Sequence, residues 1–143
     1  MSPLANSRRA VRILHMAFVV AWFLFVLVVV LVKPPVQPMQ PFLPFLPFLF
    51  ALAALGSVSL GCVLRKARID RPLEVLRNAP DNPQALIQWR SGNLALFVLA
   101  ETVTLMGLVL KFLGATWAVA GVFFFAGLFL TLLWTPRMDF PNA

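Results

Sequence analysis

The chain has one cysteine, Cys62, and one histidine, His15, among its 143 residues, and these scarcities remove several kinds of chemistry. An intramolecular disulfide is excluded, and neither a dedicated His/Cys metal site nor a two-histidine haem site can be assembled from a single copy. Redox chemistry within the chain is therefore not expected; no metal or cofactor site is predicted, and no enzymatic activity is expected. Charge is scarce as well: 12% of residues are charged, where an ordinary soluble domain carries about 25%. What fills the chain instead is apolar. A hydrophobic content of 61% and a mean hydropathy of +0.90 define an integral membrane protein. The net charge of +7 and pI near 11.5 would suit a nucleic acid, but no basic helix with interleaved aromatics, zinc spacing or binding-fold signature accompanies them. No nucleic-acid partner is expected.

Four apolar stretches, residues 11–32, 45–64, 86–112 and 115–134, each reach or slightly exceed the roughly 20 residues that a tilted membrane helix needs. They predict a single all-α membrane domain over residues 1–143, a four-transmembrane-helix bundle made of two hairpins. Arg8, Arg9 and Arg12 precede the first stretch as they would in a signal peptide. That stretch is long, however, and is followed by Lys33-Pro34-Pro35 without a small-residue cleavage site, so it reads as a retained span. At the far end Trp134 and Thr135-Pro136-Arg137 supply an interfacial aromatic, a helix stop and a cationic flank. Of the twelve Lys and Arg residues, ten fall on one side of this arrangement and only Lys33 and Lys111 on the other. The positive-inside rule then places both termini and the basic loop 65–84 in the cytoplasm and the Pro-rich segment 33–47 outside it. The excess charge suits a lipid bilayer with an anionic cytoplasmic leaflet, at about 1 kcal/mol for each basic residue near the surface.

The loops carry their own signals. Pro34, Pro35, Pro38, Pro41, Pro44 and Pro47 forbid continuous helix between the first two spans, and the Phe-Leu-Pro triplets over 41–49 have the period of polyproline II. The second helix is expected to start near Pro44 or Pro47. In the central loop, Asp70-Arg71-Pro72-Leu73-Glu74 reads as an N-cap, a first-turn proline and a first-turn acid, opening a short interfacial helix over 72–78. Asn82-Pro83 repeats that signal before the third and longest helix, which Trp89 and Arg90 mark at its membrane entry and which ends near Gly114.

Glu101 lies at the middle of residues 94–110, otherwise apolar apart from two threonines and a glycine. A charged carboxyl at the centre of a membrane helix costs about 2.5–3.5 kcal/mol on insertion scales, so it is kept neutral, paired or useful. Leu94, Phe97, Leu105 and Leu108 lie near its azimuth, with Thr104 slightly to one side. Arg90 shares the azimuth but stands roughly 16 Å away along a helix, and Lys111 lies on another face. An acid without a partner is expected to be largely protonated, and if it ionised as a cation arrived it would be a proton- or ion-binding site.

His15, one turn inside the first helix, is a candidate companion reachable by helix tilt. Ser57 and Ser59 fall near the depth of Glu101 and are the expected hydrogen-bond partners. Ala53, Ser57 and Gly61 form a small-xxx-small face, and Gly56, Gly107, Gly121 and Gly127 add to the close helix packing expected of the bundle. Cys62 reads as a small apolar residue.

The run Ala100-Glu101-Thr102-Val103-Thr104-Leu105-Met106-Gly107-Leu108-Val109-Leu110 resembles the ion-binding helix of rotary ATPase proteolipids, which implies that Glu101 corresponds to their proton- or sodium-binding carboxylate. The glycine-rich packing helix of those rings is absent, and Glu101 lies on the first rather than the second helix of its hairpin. Over nearly the whole chain, the basic start into Ile13-Leu14-His15, the Arg-rich central loop, Phe112-Leu113-Gly114 and Leu132-Leu133-Trp134-Thr135-Pro136-Arg137 are similar to a group of small four-span membrane proteins from bacteria, notably acidobacteria. That resemblance implies a multi-pass protein of the bacterial inner membrane and singles out His15 and Glu101. Small multidrug exporters also have four spans and one membrane glutamate after an alanine, but theirs is on the first helix. The function expected is a small membrane subunit whose Glu101 binds a proton or cation, with other copies of itself or a larger membrane complex as partner. The competing expectation is an accessory subunit in which Glu101 stays neutral.

Overall fold

The structure is a computed structural model that describes residues 3–32 and 45–136. Of the polyproline reading of 41–49, residues 41–44 lie outside the described residues and 46–49 are instead the first turn of a helix; the Arg137 flank lies outside the described residues. Every regular element among them is helical: α1 (Pro3–Val32), α2 (Leu46–Arg65), a π-helical stretch (Lys66–Asp70), α3 (Arg71–Asn78), α4 (Pro83–Phe112) and α5 (Trp117–Leu133). Because α2, the π-helical stretch and α3 run on without a break, they make one helix, Leu46–Asn78, and the described residues form four helices. Three are long and apolar enough to cross a membrane. The fourth, α5, is apolar throughout but has 17 residues, at the short end of the range for a spanning helix.

Local chemistry sets the ends. Pro47 occupies the first turn of α2, as expected, where its missing N–H has no partner to lose. Asn82 caps α4, its Oδ1 accepting the N–H groups of Gln84 and Ala85, both at 3.1 Å. The other end of α4 closes in a Schellman turn: Gly114 has φ of 88°, its N–H donates to the Lys111 carbonyl at 3.1 Å, and Ala115 N–H donates to the Leu110 carbonyl at 2.9 Å.

The central loop departs from expectation. Asp70 makes no capping bond because no helix begins there; the chain is already helical and stays so to Asn78, which leaves only residues 79–82 as a turn. The reason lies at Pro72, which has no N–H for the Arg68 carbonyl and whose ring crowds it. The wider π turn makes room, with Arg71 N–H donating to Lys66 O across five residues. At this point the helix presses on α4, since a Cβ on Gly92 would lie 2.8 Å from the Arg68 carbonyl oxygen.

The outcome is a long antiparallel hairpin. At 1.5 Å per residue its arms are about 50 and 45 Å long, against a hydrocarbon core of about 30 Å. The hairpin tip therefore projects beyond the apolar layer, and the first turns of α1 pack beside it. Leu4 and Val11 of α1, Ile69, Leu76 of α3, and Leu86 and Trp89 of α4 belong to one buried cluster that continues into the span through Leu96, Phe97, Ala100 and Val103. A smaller cluster joins Trp22 and Val29 of α1 to Ala120 and Phe124 of α5.

The expected pairing of hairpins holds for α4 with α5, the most extensively packed pair. It does not hold for α1 with α2. Each of these packs on α4, and α1 also reaches α5, so α4 is the hub.

Candidate functional site

Glu101 projects from the middle of α4. Both of its carboxyl oxygens are shielded from solvent, and neither has a hydrogen-bond partner among the described residues. One turn away on the same stripe, Phe97 is fully buried. The His15 ring stacks on it with 5.2 Å between centroids and 20° between planes, and Phe18 lies at 5.6 Å. The stripe that carries Glu101 is thus the one that α4 turns toward α1 at this level.

The sequence-derived companions of Glu101 go elsewhere. His15 Nε2 lies 3.2 Å from the Thr131 carbonyl oxygen; because a carbonyl only accepts, this nitrogen carries the proton in that contact. His15 therefore links α1 to α5 through a bond that Glu101 does not share. Ser57 and Ser59 donate to the carbonyls of Ala53 and Leu55, at 2.9 and 3.0 Å, so neither is the partner expected for the acid. Thr104 is buried, donates to Ala100 O at 3.4 Å and lies so close over Gly127 that a Cβ there would overlap its hydroxyl. Thr102 and Thr131 likewise bond the carbonyl four residues back in their own helices. Where water is scarce, the preceding turn is the nearest acceptor for a hydroxyl, and that local bond wins over a longer reach across the bundle.

The small residues divide in a similar way. A Cβ on Gly61 would overlap the Trp134 ring, and one on Gly107 would stand 2.9 Å from the Ala120 carbonyl oxygen. These two positions and Gly127 are close-packing sites. Gly56 and Gly121 have open space where a side chain would go, and Ala53 is exposed. The regular repeat on α2 therefore packs only at its Gly61 end. Trp134, expected at the interface, is buried because its indole fills the hollow that Gly61 leaves.

Two residues matter here that the pattern did not single out. Trp22 donates its Nε1–H to the Phe124 carbonyl at 2.7 Å, a buried link from α1 to α5. Lys111 is held at the opposite end of the bundle, with Nζ donating to Ala115 O at 3.1 Å and lying 5.0 Å from the Trp117 ring centroid. Its azimuth on α4 was legible from sequence; its partners depend on the turn at Gly114. Cys62 is exposed on α2. Among the described residues no group of three or more His, Cys, Asp or Glu side chains is placed to hold a metal ion.

Chemically, the arrangement is a single carboxyl, shielded and unpartnered among the described residues, one turn along α4 from the Phe97–His15 stack. Protonated, it is a neutral group with an unused donor; ionised, it requires a cation to enter. Compared with family models, curated proteins and solved structures, the chain finds no match. Its class follows from the fold and the site: a small helical membrane protein with a buried glutamate in a spanning helix.

Proposed function

We propose that the chain is a small multi-pass subunit of the bacterial inner membrane, with both termini and the hairpin tip cytoplasmic, in which Glu101 binds and releases a proton or cation. The observation that carries this reading is that both carboxyl oxygens lie inside the bundle without a hydrogen-bond partner. An accessory subunit holding a permanently neutral acid would use the acid O–H to tie helices together, because an unsatisfied buried polar group costs about 1–3 kcal/mol. His15, Ser57, Ser59 and Thr104 make their hydrogen bonds elsewhere, and among the described residues Glu101 makes no such tie. The orientation rests on the Lys and Arg distribution. The reading assigns no chemical transformation to the chain. A further copy or a larger membrane complex would supply the other half of any ion path.

Labelling by a hydrophobic carbodiimide, which attacks the protonated carboxyl, tests the proposal in native membranes with mass spectrometry as the readout. Glu101 should be labelled at low pH and progressively less as pH rises, and Glu101→Gln should abolish the signal while the protein still folds. Absence of labelling at every pH would instead favour the accessory subunit.

A further inference from the structure

The basic residues of the projecting end are not spread evenly over it. The His15 to Thr131 contact and the stacking of His15 on Phe97 fix one level shared by α1, α4 and α5, and the contact of Gly92 with Arg68 fixes a second shared by α4 and the π-helical stretch. Counting 1.5 Å per residue from the first level, Arg12 and Lys66 stand about 4–5 Å above it, Arg68 about 8 Å, and Arg9 and Arg90 about 9–11 Å. These five cations are exposed and come from three helices. Beyond them, at about 12–24 Å, are Arg71, Glu74, Arg77 and Asp81. Two of those are basic and two acidic, and all four are exposed. The one acid at the upper edge of the inner band, Asp70, is half-buried.

A membrane headgroup layer is about 5–7 Å thick on each side of the hydrocarbon. With the exposed apolar side chains of Ile13 on α1 and Val63 on α2 standing just below the inner band, the apolar edge falls there, the inner band lies in that layer and the outer tip in water. We infer that Arg9, Arg12, Lys66, Arg68 and Arg90 form a collar that binds the phosphates of anionic phospholipids around the bundle. An acidic protein docking from solvent would meet the tip first, where the charges cancel. Over a Debye length of about 8 Å the collar would be largely screened from such a partner. The leaflet is in contact with the collar, and each basic residue favours an anionic surface by a factor of about five. The collar is independent of the reaction or ion assigned to Glu101.

The test uses the full chain reconstituted in vesicles of equal phosphatidylglycerol and phosphatidylcholine, gently extracted, with the lipids that remain bound counted by native mass spectrometry. Wild type should retain phosphatidylglycerol several-fold over phosphatidylcholine. The triple variant K66Q/R68Q/R90Q should lose most of that preference, whereas R71Q/R77Q, which removes two charges from the tip, should keep it. A variant-free measurement guards against misfolding: in wild type the preference should fade in about 1 M salt, where the Debye length is about 3 Å. Equal retention of the two lipids by wild type, a salt-independent preference, or a loss confined to the tip variant would overturn the collar; the last would place the lipid contact at the tip instead.

Discussion

The helix Leu46–Asn78 and α4 are the two arms of one hairpin and are both apolar enough to span a membrane, yet half of the most apolar window of α4 is buried and only 6% of that of its partner. The partner has the more regular small-residue repeat, Ala53, Ser57 and Gly61. The comparison separates two things that such a repeat can mean. Small residues permit close approach, but approach happens only where a second helix arrives. α4 is met by α1, α2 and α5, so both of its glycines, Gly92 and Gly107, are covered; α2 packs along its length on α4, and its Gly56 faces open space. Phe48, Leu49, Leu52 and Leu55, exposed along α2, suit contact with lipid chains.

Substitutions test this contrast, each read as thermal unfolding in a fixed detergent. Trp134→Ala should have the largest effect, a loss of about 3–5 kcal/mol, because it empties the hollow over Gly61 that the buried indole fills. If it proved neutral, the contact of Trp134 with Gly61 would not be part of the core. Gly127→Leu should cost about 1–3 kcal/mol or more through overlap with Thr104, and Gly56→Leu should be close to neutral; comparable losses at the two sites would mean that α2 packs on something in solution. Asn82→Ala should cost about 1 kcal/mol by removing the cap of α4, whereas Asp70→Ala should show no capping loss. The smallest effect is expected for Ser57→Ala with Ser59→Ala, within about 0.5 kcal/mol, and a larger loss would restore these hydroxyls as partners of some buried group.

The cap at Asn82, the first-turn Pro47 and the stop at Gly114 were legible because each is a contest among backbone groups within a few residues. The Asp70 signal is of the same kind and misled, because a cap needs a helix that starts, and Pro72 was accommodated by a π turn inside a helix already under way. The site divides similarly. That Glu101 is a solitary acid, too far from Arg90 and on a different face from Lys111, is arithmetic on one helix. That His15 turns to Thr131 and the serines to their own carbonyls was not readable, since each hydroxyl or imidazole had several acceptors in reach and the choice rested on which helix lay beside it.

Length, apolarity and charge asymmetry were enough to determine a helical membrane protein with a carboxyl in one of its spans, since those properties are set residue by residue against water and lipid. Which helix became the hub, which glycines were covered and which hydrogen bonds closed were decided only by the tertiary structure. A helix that is apolar all round carries no contrast between inside and outside to orient it in a bilayer. Its buried face is selected by shape and by the few polar bonds that the assembled bundle brings within reach.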